Sequence, residues 1–148
     1  GGASRAIMHA LAQMHVGKIT IVNRTITRAE EVAALAPRSK VASWEEVWGD
    51  DIDLMVNTTS LGLGQDADGN KALEKAAGQL IAGGVAMDIV YKPIKTHFLE
   101  QAEYRGAITI DGLGMLVHQA APAFEAFYGQ PPSNPDKILR QLLEEFSS

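Results

Sequence analysis

Apolar and polar positions follow two periods along the chain. From Ser4 to Met14, Ile7, Met8, Leu11 and Met14 recur three and four residues apart, which lays an apolar stripe along a helix, and Gly17 is read as its stop. At KITIV (18–22) the period changes to an unbroken β-branched and apolar run, the pattern of a buried strand. Thr27 with Glu30 three residues on fits a capping box, opening a helix expected to reach Ala36 ahead of Pro37. A strand is expected at Asp53–Asn57, running into the polar turn of VNTTSLGLG (56–64). A short helix over 71–81, an apolar strand GGVAMDIVY (83–91), a helix over 96–105 ending at Gly106 and a short strand AITI (107–110) follow. Leu113–Tyr128 reads as a long amphipathic helix closed by Gly129, and Asn134 as the cap of a last helix reaching Phe146. Strands alternating with helices through short connections predict an α/β fold with a doubly wound parallel sheet.

The segment GGASRAIMHALAQM opens inside a glycine-rich turn, with no strand ahead of it, although a helix opening on glycine ordinarily follows one. The expectation is therefore a fragment with its first strand missing: one nucleotide-binding domain over 1–148, with 134–148 as its C-terminal helix. A length of 148 residues suits one domain with a real core. The net charge of -5 gives no reason to expect nucleic-acid or membrane-surface partners. Without cysteine there is no disulfide or thiolate chemistry, and a reducing compartment is allowed. No apolar run approaches the roughly 20 residues a membrane span requires, and no signal peptide is seen.

Candidate chemistry collects where strands end. Small residues ahead of a helix, here Gly1, Gly2 and Ala3, let free amides approach a pyrophosphate, though a bare pair of glycines also fits a flexible chain end. About twenty residues on, an NAD site would carry a carboxylate for the ribose hydroxyls; this chain has Asn23, Arg24 and Thr25, with Arg28 one turn later. Arg24 can offer its planar fork to a phosphate, and Arg28 can point back to the same place, so the expected anion is the 2′-phosphate of NADP. Two solvated arginines, one paired with Glu31, is the plainer alternative.

Thr58 and Thr59 sit in a turn beyond a strand, where hydroxyls and amides could line a nicotinamide or ribose, but such residues also simply make turns. Tyr91 offers a hydroxyl just past an apolar run, or is only a tyrosine at a sheet rim. Gly112 and Gly114 open a helix and permit close backbone approach, and Met115 and Gln119 share one helical face. His118 could serve as a general acid, a role that lone helical histidines seldom fill. No metal-ligand spacing and no Ser/His/Asp set is present.

Taken together, GGASRA, NRTITRAEEVA, VNTTSLG, DIVYKPIKTHFL and DGLGMLVHQAAPAFEAFYG resemble, in order and spacing, the cofactor-binding half of shikimate dehydrogenases. The resemblance implies a Rossmann-like NAD(P)-binding domain and the NADP-dependent interconversion of 3-dehydroshikimate and shikimate in aromatic amino-acid (chorismate) biosynthesis. It implies that Gly1, Gly2 and Ala3 hold the pyrophosphate and that Asn23, Arg24, Thr25 and Arg28 clamp the 2′-phosphate. Thr58, Thr59, Ile89, Gly112 and Met115 would approach the nicotinamide side, while Tyr91 and Gln119 would reach substrate. The family's catalytic lysine and aspartate lie on a separate N-terminal domain; Lys92 is not that lysine, so no catalytic residue is assigned and the chain alone is expected to be inactive. A cytoplasmic setting is implied, and a homodimer is allowed. A quinate/shikimate dehydrogenase of broader specificity, an NAD-using relative or a non-catalytic NADP-binding module are the alternatives.

Overall fold

The computed structural model describes residues 1–46, 51–61 and 67–146, which fall into two compact units, Gly1–Asp50 and Asp51–Ser148. Both are built from helices and parallel strands.

In the first unit, α1 (Gly2–Gln13) turns Met8, Leu11 and Ala12 toward β1 (Ile19–Val22) and α2 (Ile26–Ala33). Their stripe meets Ile19, Ile21, Val32 and Ala36 in one apolar cluster. Burying a side chain such as Val32 contributes roughly 1.5–3 kcal/mol. β2 (Ser39–Ala42) pairs parallel with β1, from Ile19 opposite Ser39 to Val22 opposite Ala42.

Three local expectations change here. α1 ends at Gln13, and the left-handed residue that turns the chain is His15 at φ 55°, not a glycine. Histidine is among the side chains that tolerate this region best, so Gly17 is not needed as the stop. α2 starts two residues earlier than a Thr27 cap allows, with Thr25 at the N-cap. The cause is Asn23, whose Oδ1 accepts the Thr25 N–H at 2.8 Å and turns the chain as soon as β1 ends. The helix also closes at Ala33; bonds from Leu35 N–H to the Val32 carbonyl and from Ala36 N–H to that of Ala33 tighten the exit and carry Ala36 into the core.

The second unit contains β3 (Ile52–Asn57), α3 (Ala67–Ala77), β4 (Leu80–Asp88), α4 (His97–Tyr104), β5 (Ile108–Ile110), α5 (Leu113–Tyr128) and α6 (Pro135–Phe146). Its sheet has the order β3-β4-β5, with every pair parallel. Leu73 and Ala77 of α3 and Phe98, Leu99 and Ala102 of α4 pack with Leu80, Ala86 and Ala107, joined by Met55 of β3. Thr96 caps α4 by accepting the Leu99 N–H. Gly129, at φ 73°, closes α5, and Asn134 accepts the Lys137 N–H at 2.9 Å at the start of α6.

α3 lies four residues ahead of the expected 71–81, because the chain leaves the helix at Gly78 and draws Leu80 into the sheet. β4 likewise begins at Leu80 rather than Gly83 and stops at Asp88, so Ile89, Val90 and Tyr91 lie beyond the strand. Ile52 pairs with Leu80 but Leu54 with Val85, so β4 bulges between its two halves. Gly83, at φ 77°, supplies the bulge, and a Cβ on Gly84 would stand 3.0 Å from the Ile81 carbonyl oxygen. The end of the turn stretch 56–64, from Gly62 on, and the last two residues of 134–148 lie outside the described residues. Among the described residues no helix is long and apolar enough to cross a membrane.

Candidate functional site

In the first unit the candidate groups gather at the start of α1 and the end of β1. Gly1 is the N-cap of α1, and the first amides of a helix have no carbonyl partner within it, so Gly2 and Ala3 present N–H groups at its positive end. β1 delivers Asn23, Arg24 and Thr25 directly beyond Val22, and Arg28 follows in the first turn of α2. Arg24 and Arg28 are exposed, and neither guanidinium has a partner among the described residues. Asn23 is partly committed, since its Oδ1 makes the turn to Thr25.

The expected alternative, in which Glu31 pairs with an arginine of its own helix, is not the arrangement found. Glu31 Oε2 accepts instead from Arg5 Nη2 of α1 at 3.0 Å. Gly1, Arg5, Arg28, Glu31 and Val32 line one shallow pocket of about 280 Å³. Of the groups expected in this unit, Gly1 and Arg28 therefore meet in a pocket whose other charged members, Arg5 and Glu31, were not singled out from sequence as ligand-binding. The available signal was an arginine one turn into the helix that opens on Gly1-Gly2.

In the second unit, Asn57 and Asp88 are register partners at the ends of β3 and β4. Asp88 is 1% exposed and takes three donors: Thr96 Oγ1 at 2.8 Å and Asn57 Nδ2 at 3.2 Å on Oδ2, and the Val90 N–H at 3.1 Å on Oδ1. The other end of the Asn57 amide accepts from Thr59 N at 3.1 Å and Thr59 Oγ1 at 2.8 Å. Thr59 Oγ1 in turn accepts the Leu61 N–H at 3.0 Å. One carboxylate thus ties together two strand ends, the turn after β3, the segment after β4 and the cap of α4.

This network bears on several expected site residues. The Thr59 hydroxyl proton is used inside its turn, and Thr58 also has a partner. Ile89 and Val90 run against Gly112, whose N–H donates to the Val90 carbonyl at 3.1 Å. A Cβ on Gly112 would fall 2.1 Å from the Ile89 carbonyl oxygen, so this position receives backbone from the segment after β4. Asp111 Oδ1 accepts the Leu113 N–H at 2.8 Å and starts α5. From there Met115 is half-buried, while His118 and Gln119 are exposed. Tyr91 is 41% exposed; its ring meets Phe146 of α6 edge-on at 6.3 Å, and Lys92 Nζ lies 5.4 Å from the centre of the same Phe146 ring. Asn57, Asp88 and Thr96 were not picked out as site residues from sequence; a carboxylate inside the apolar run VAMDIV was the clue to look for a buried anchor.

Comparison with known proteins narrows what this architecture is. Residues 112–143 match the family model described as the Shikimate 5'-dehydrogenase C-terminal domain. A shikimate dehydrogenase (NADP(+)) of Brucella abortus (strain S19) is 42% identical over 151 aligned residues, which cover 99% of this chain and 52% of that protein. A crystal structure of a shikimate dehydrogenase in complex with NADP+ superimposes with a TM-score of 0.80 at 30% identity, over 100% of this chain and 53% of the other. The ligand-free 5-ketofructose reductase of Gluconobacter sp. strain CHM43 gives 0.70 at 32% identity, over 98% and 53% respectively. The fold thus matches the Rossmann-like NADP-binding domain of such structures. Within that class the chain is similar to the C-terminal part of shikimate dehydrogenases, and it spans about half the length of the curated relatives it aligns with.

Proposed function

We propose that this chain is the cofactor-binding part of an NADP-dependent shikimate dehydrogenase, which reversibly reduces 3-dehydroshikimate to shikimate in aromatic amino-acid (chorismate) biosynthesis. The observation that carries the coenzyme choice is the end of β1, where two exposed guanidinium groups, Arg24 and Arg28, have no protein partner among the described residues. Asn23, rather than a carboxylate, follows the strand, so that position neither repels a phosphate nor serves a ribose diol. A charge-assisted fork to a 2′-phosphate is the chemistry this arrangement suits.

The bound coenzyme supplies the hydride site; the chain's own groups bind and orient it. Gly1, Gly2 and Ala3 offer amides to the pyrophosphate, and Asn23, Arg24, Thr25 and Arg28 surround the 2′-phosphate. Thr58, Thr59, Ile89, Gly112 and Met115 form the nicotinamide side, and Tyr91 and Gln119 present a hydroxyl and an amide to substrate. No residue of the 148 is assigned the proton exchange that accompanies hydride transfer, so the chain by itself is expected to bind coenzyme without turnover. The setting is a cytoplasmic enzyme with a small-molecule substrate and no nucleic-acid or membrane partner.

The similarity to a 5-ketofructose reductase over the same half favours a second reading of the substrate alone. Where one cofactor half serves different sugar-like ketones, breadth such as quinate/shikimate use is decided elsewhere. Titration of the chain with NADP+ and NAD+ tests the coenzyme assignment. Arg24→Ala should weaken NADP+ by roughly ten- to a hundredfold, the worth of one charge-assisted contact, and leave NAD+ unchanged. Equal binding of both coenzymes by the unmodified chain would overturn it.

A further inference from the structure

The pocket beside Gly1 contains an ion pair that the coenzyme reading does not use. Arg5 reaches from α1 across to Glu31 of α2, Nη2 to Oε2 at 3.0 Å, and both side chains line the space that Arg28 enters. Both partners are more than half exposed, at 52% and 63% of their side chains, so packing does not require the pair. Exposed pairs of this kind add little stability. Each partner matters to the pocket's charge, however, because two guanidinium groups and one carboxylate line the same small volume and the loss of either partner shifts its balance by one unit.

We propose that the Arg5–Glu31 pair is a specificity-determining element that sets how strongly this pocket prefers a phosphate monoester to a free ribose hydroxyl. The inference rests on the NADP reading above and adds two residues to it. Glu31 follows Arg28 by one helical turn on α2, so both side chains reach the same side of that helix, and Arg5 is the counter-charge that the Glu31 carboxylate meets. With Arg5 in place, the pocket presents a net positive charge and Glu31 is masked. Without Arg5, the carboxylate faces the ligand bare, and one unit of positive charge is left to oppose it. NAD+ has no phosphate at that ribose position, so whatever part of the exchange is felt at the pyrophosphate, on the Gly1 side of the pocket, moves both coenzymes alike, and the NADP+/NAD+ affinity ratio isolates the pair's effect on the 2′-phosphate.

The experiment is calorimetric or fluorescence titration of NADP+ and NAD+ on the full chain and its variants, with far-UV circular dichroism confirming that each is folded. Arg5→Ala should lower the NADP+/NAD+ affinity ratio by roughly fivefold, the factor that one unscreened charge at contact distance in water represents. Glu31→Gln should tighten NADP+ by a similar factor. The double variant Arg5→Ala/Glu31→Gln should return to the unmodified affinity, because the charge of the pocket is then restored. An effect of Arg5→Ala on NADP+ and NAD+ alike would move the pair to the pyrophosphate and overturn the proposal, as would a double variant no better than Arg5→Ala. Arg28→Ala separates the two levels. If it lowers NADP+ selectivity while the Arg5 and Glu31 variants change nothing, only the pair's role fails; if it too changes nothing, the coenzyme reading fails with it.

Discussion

Replacing Asp88 by asparagine tests the network at the ends of β3 and β4 more sharply than any truncation would. The side chain keeps its shape, and only the donor and acceptor pattern changes. Asp88 receives Thr96 Oγ1 and Asn57 Nδ2 on one oxygen and the Val90 N–H on the other. An amide has one acceptor end. Turned toward Thr96 and Asn57, it points its NH2 at the Val90 N–H; turned toward Val90, it confronts the Asn57 NH2. Either way a buried donor is left unmatched, at about 1–3 kcal/mol. The remaining bonds also pass from charged to neutral acceptors, a loss partly offset because a neutral group is cheaper to bury at a site 1% exposed.

The expected net cost of Asp88→Asn is therefore about 2 kcal/mol, read as a lower midpoint in urea unfolding of the chain followed by far-UV circular dichroism. The informative arm is the exchange Asn57→Asp/Asp88→Asn. A carboxylate at 57 still accepts both Thr59 donors, and its second oxygen accepts the new amide at 88. That amide's oxygen takes the Val90 N–H, while its second hydrogen reaches Thr96 Oγ1. Every N–H donor in the set is again paired, and only the Thr96 hydroxyl proton has to turn to another acceptor. The double variant should therefore be more stable than the sum of its parts by on the order of 1–3 kcal/mol. A double variant that is merely additive would refute the claim that donor matching, rather than buried charge as such, holds these strand ends together.

Two further outcomes follow from single positions. Gly112→Ala should cost about 3 kcal/mol or more in thermal or urea unfolding, since its methyl group would meet the Ile89 carbonyl at 2.1 Å and backbone cannot rotate aside, whereas Gly114→Ala, with open space around it, should be neutral or gain roughly 0.5–1 kcal/mol from helix propensity. Glu46 should titrate below its ordinary value of 4.5 because its carboxylate accepts the Ser43 N–H at 3.0 Å; its small stabilising contribution is present at neutral pH and is lost as pH falls through that lowered value, which side-chain NMR titration would show, and a Glu46 value at or above 4.5 would contradict the hydrogen bond.

How legible these features were in sequence depended on whether their cause was local. α5 could be read to the residue at both ends because its signals are adjacent in the chain: the glycines that open it, an apolar stripe along it and Gly129 after it. β2 was not legible, since SKVA has one large apolar residue and becomes a strand by pairing with β1. α3 and β4 were misplaced for a related reason. The bulge at Gly83-Gly84 lets Leu80 join the sheet ahead of two glycines that look like a boundary. In the candidate site, the two unpartnered arginines could be named from NRTITR, but the partner of Glu31 could not, because Arg5 is 26 residues away and reaches it only once α1 lies beside α2.

The same distinction explains what the motif residues do. Asp88 and Thr96, eight apart in DIVYKPIKT, bond to each other, and Gly112 of the following DG pair receives the backbone of Ile89 and Val90. The central residues of these stretches are therefore engaged mainly with one another, and what they hold in place is the short segment that carries Tyr91 beyond the end of β4. A motif of this kind is mostly scaffold. Tyr91 and Gln119 in this unit and Arg24 and Arg28 in the other keep exposed side chains, and we propose that it is on them that changes in substrate or coenzyme act without changing the fold.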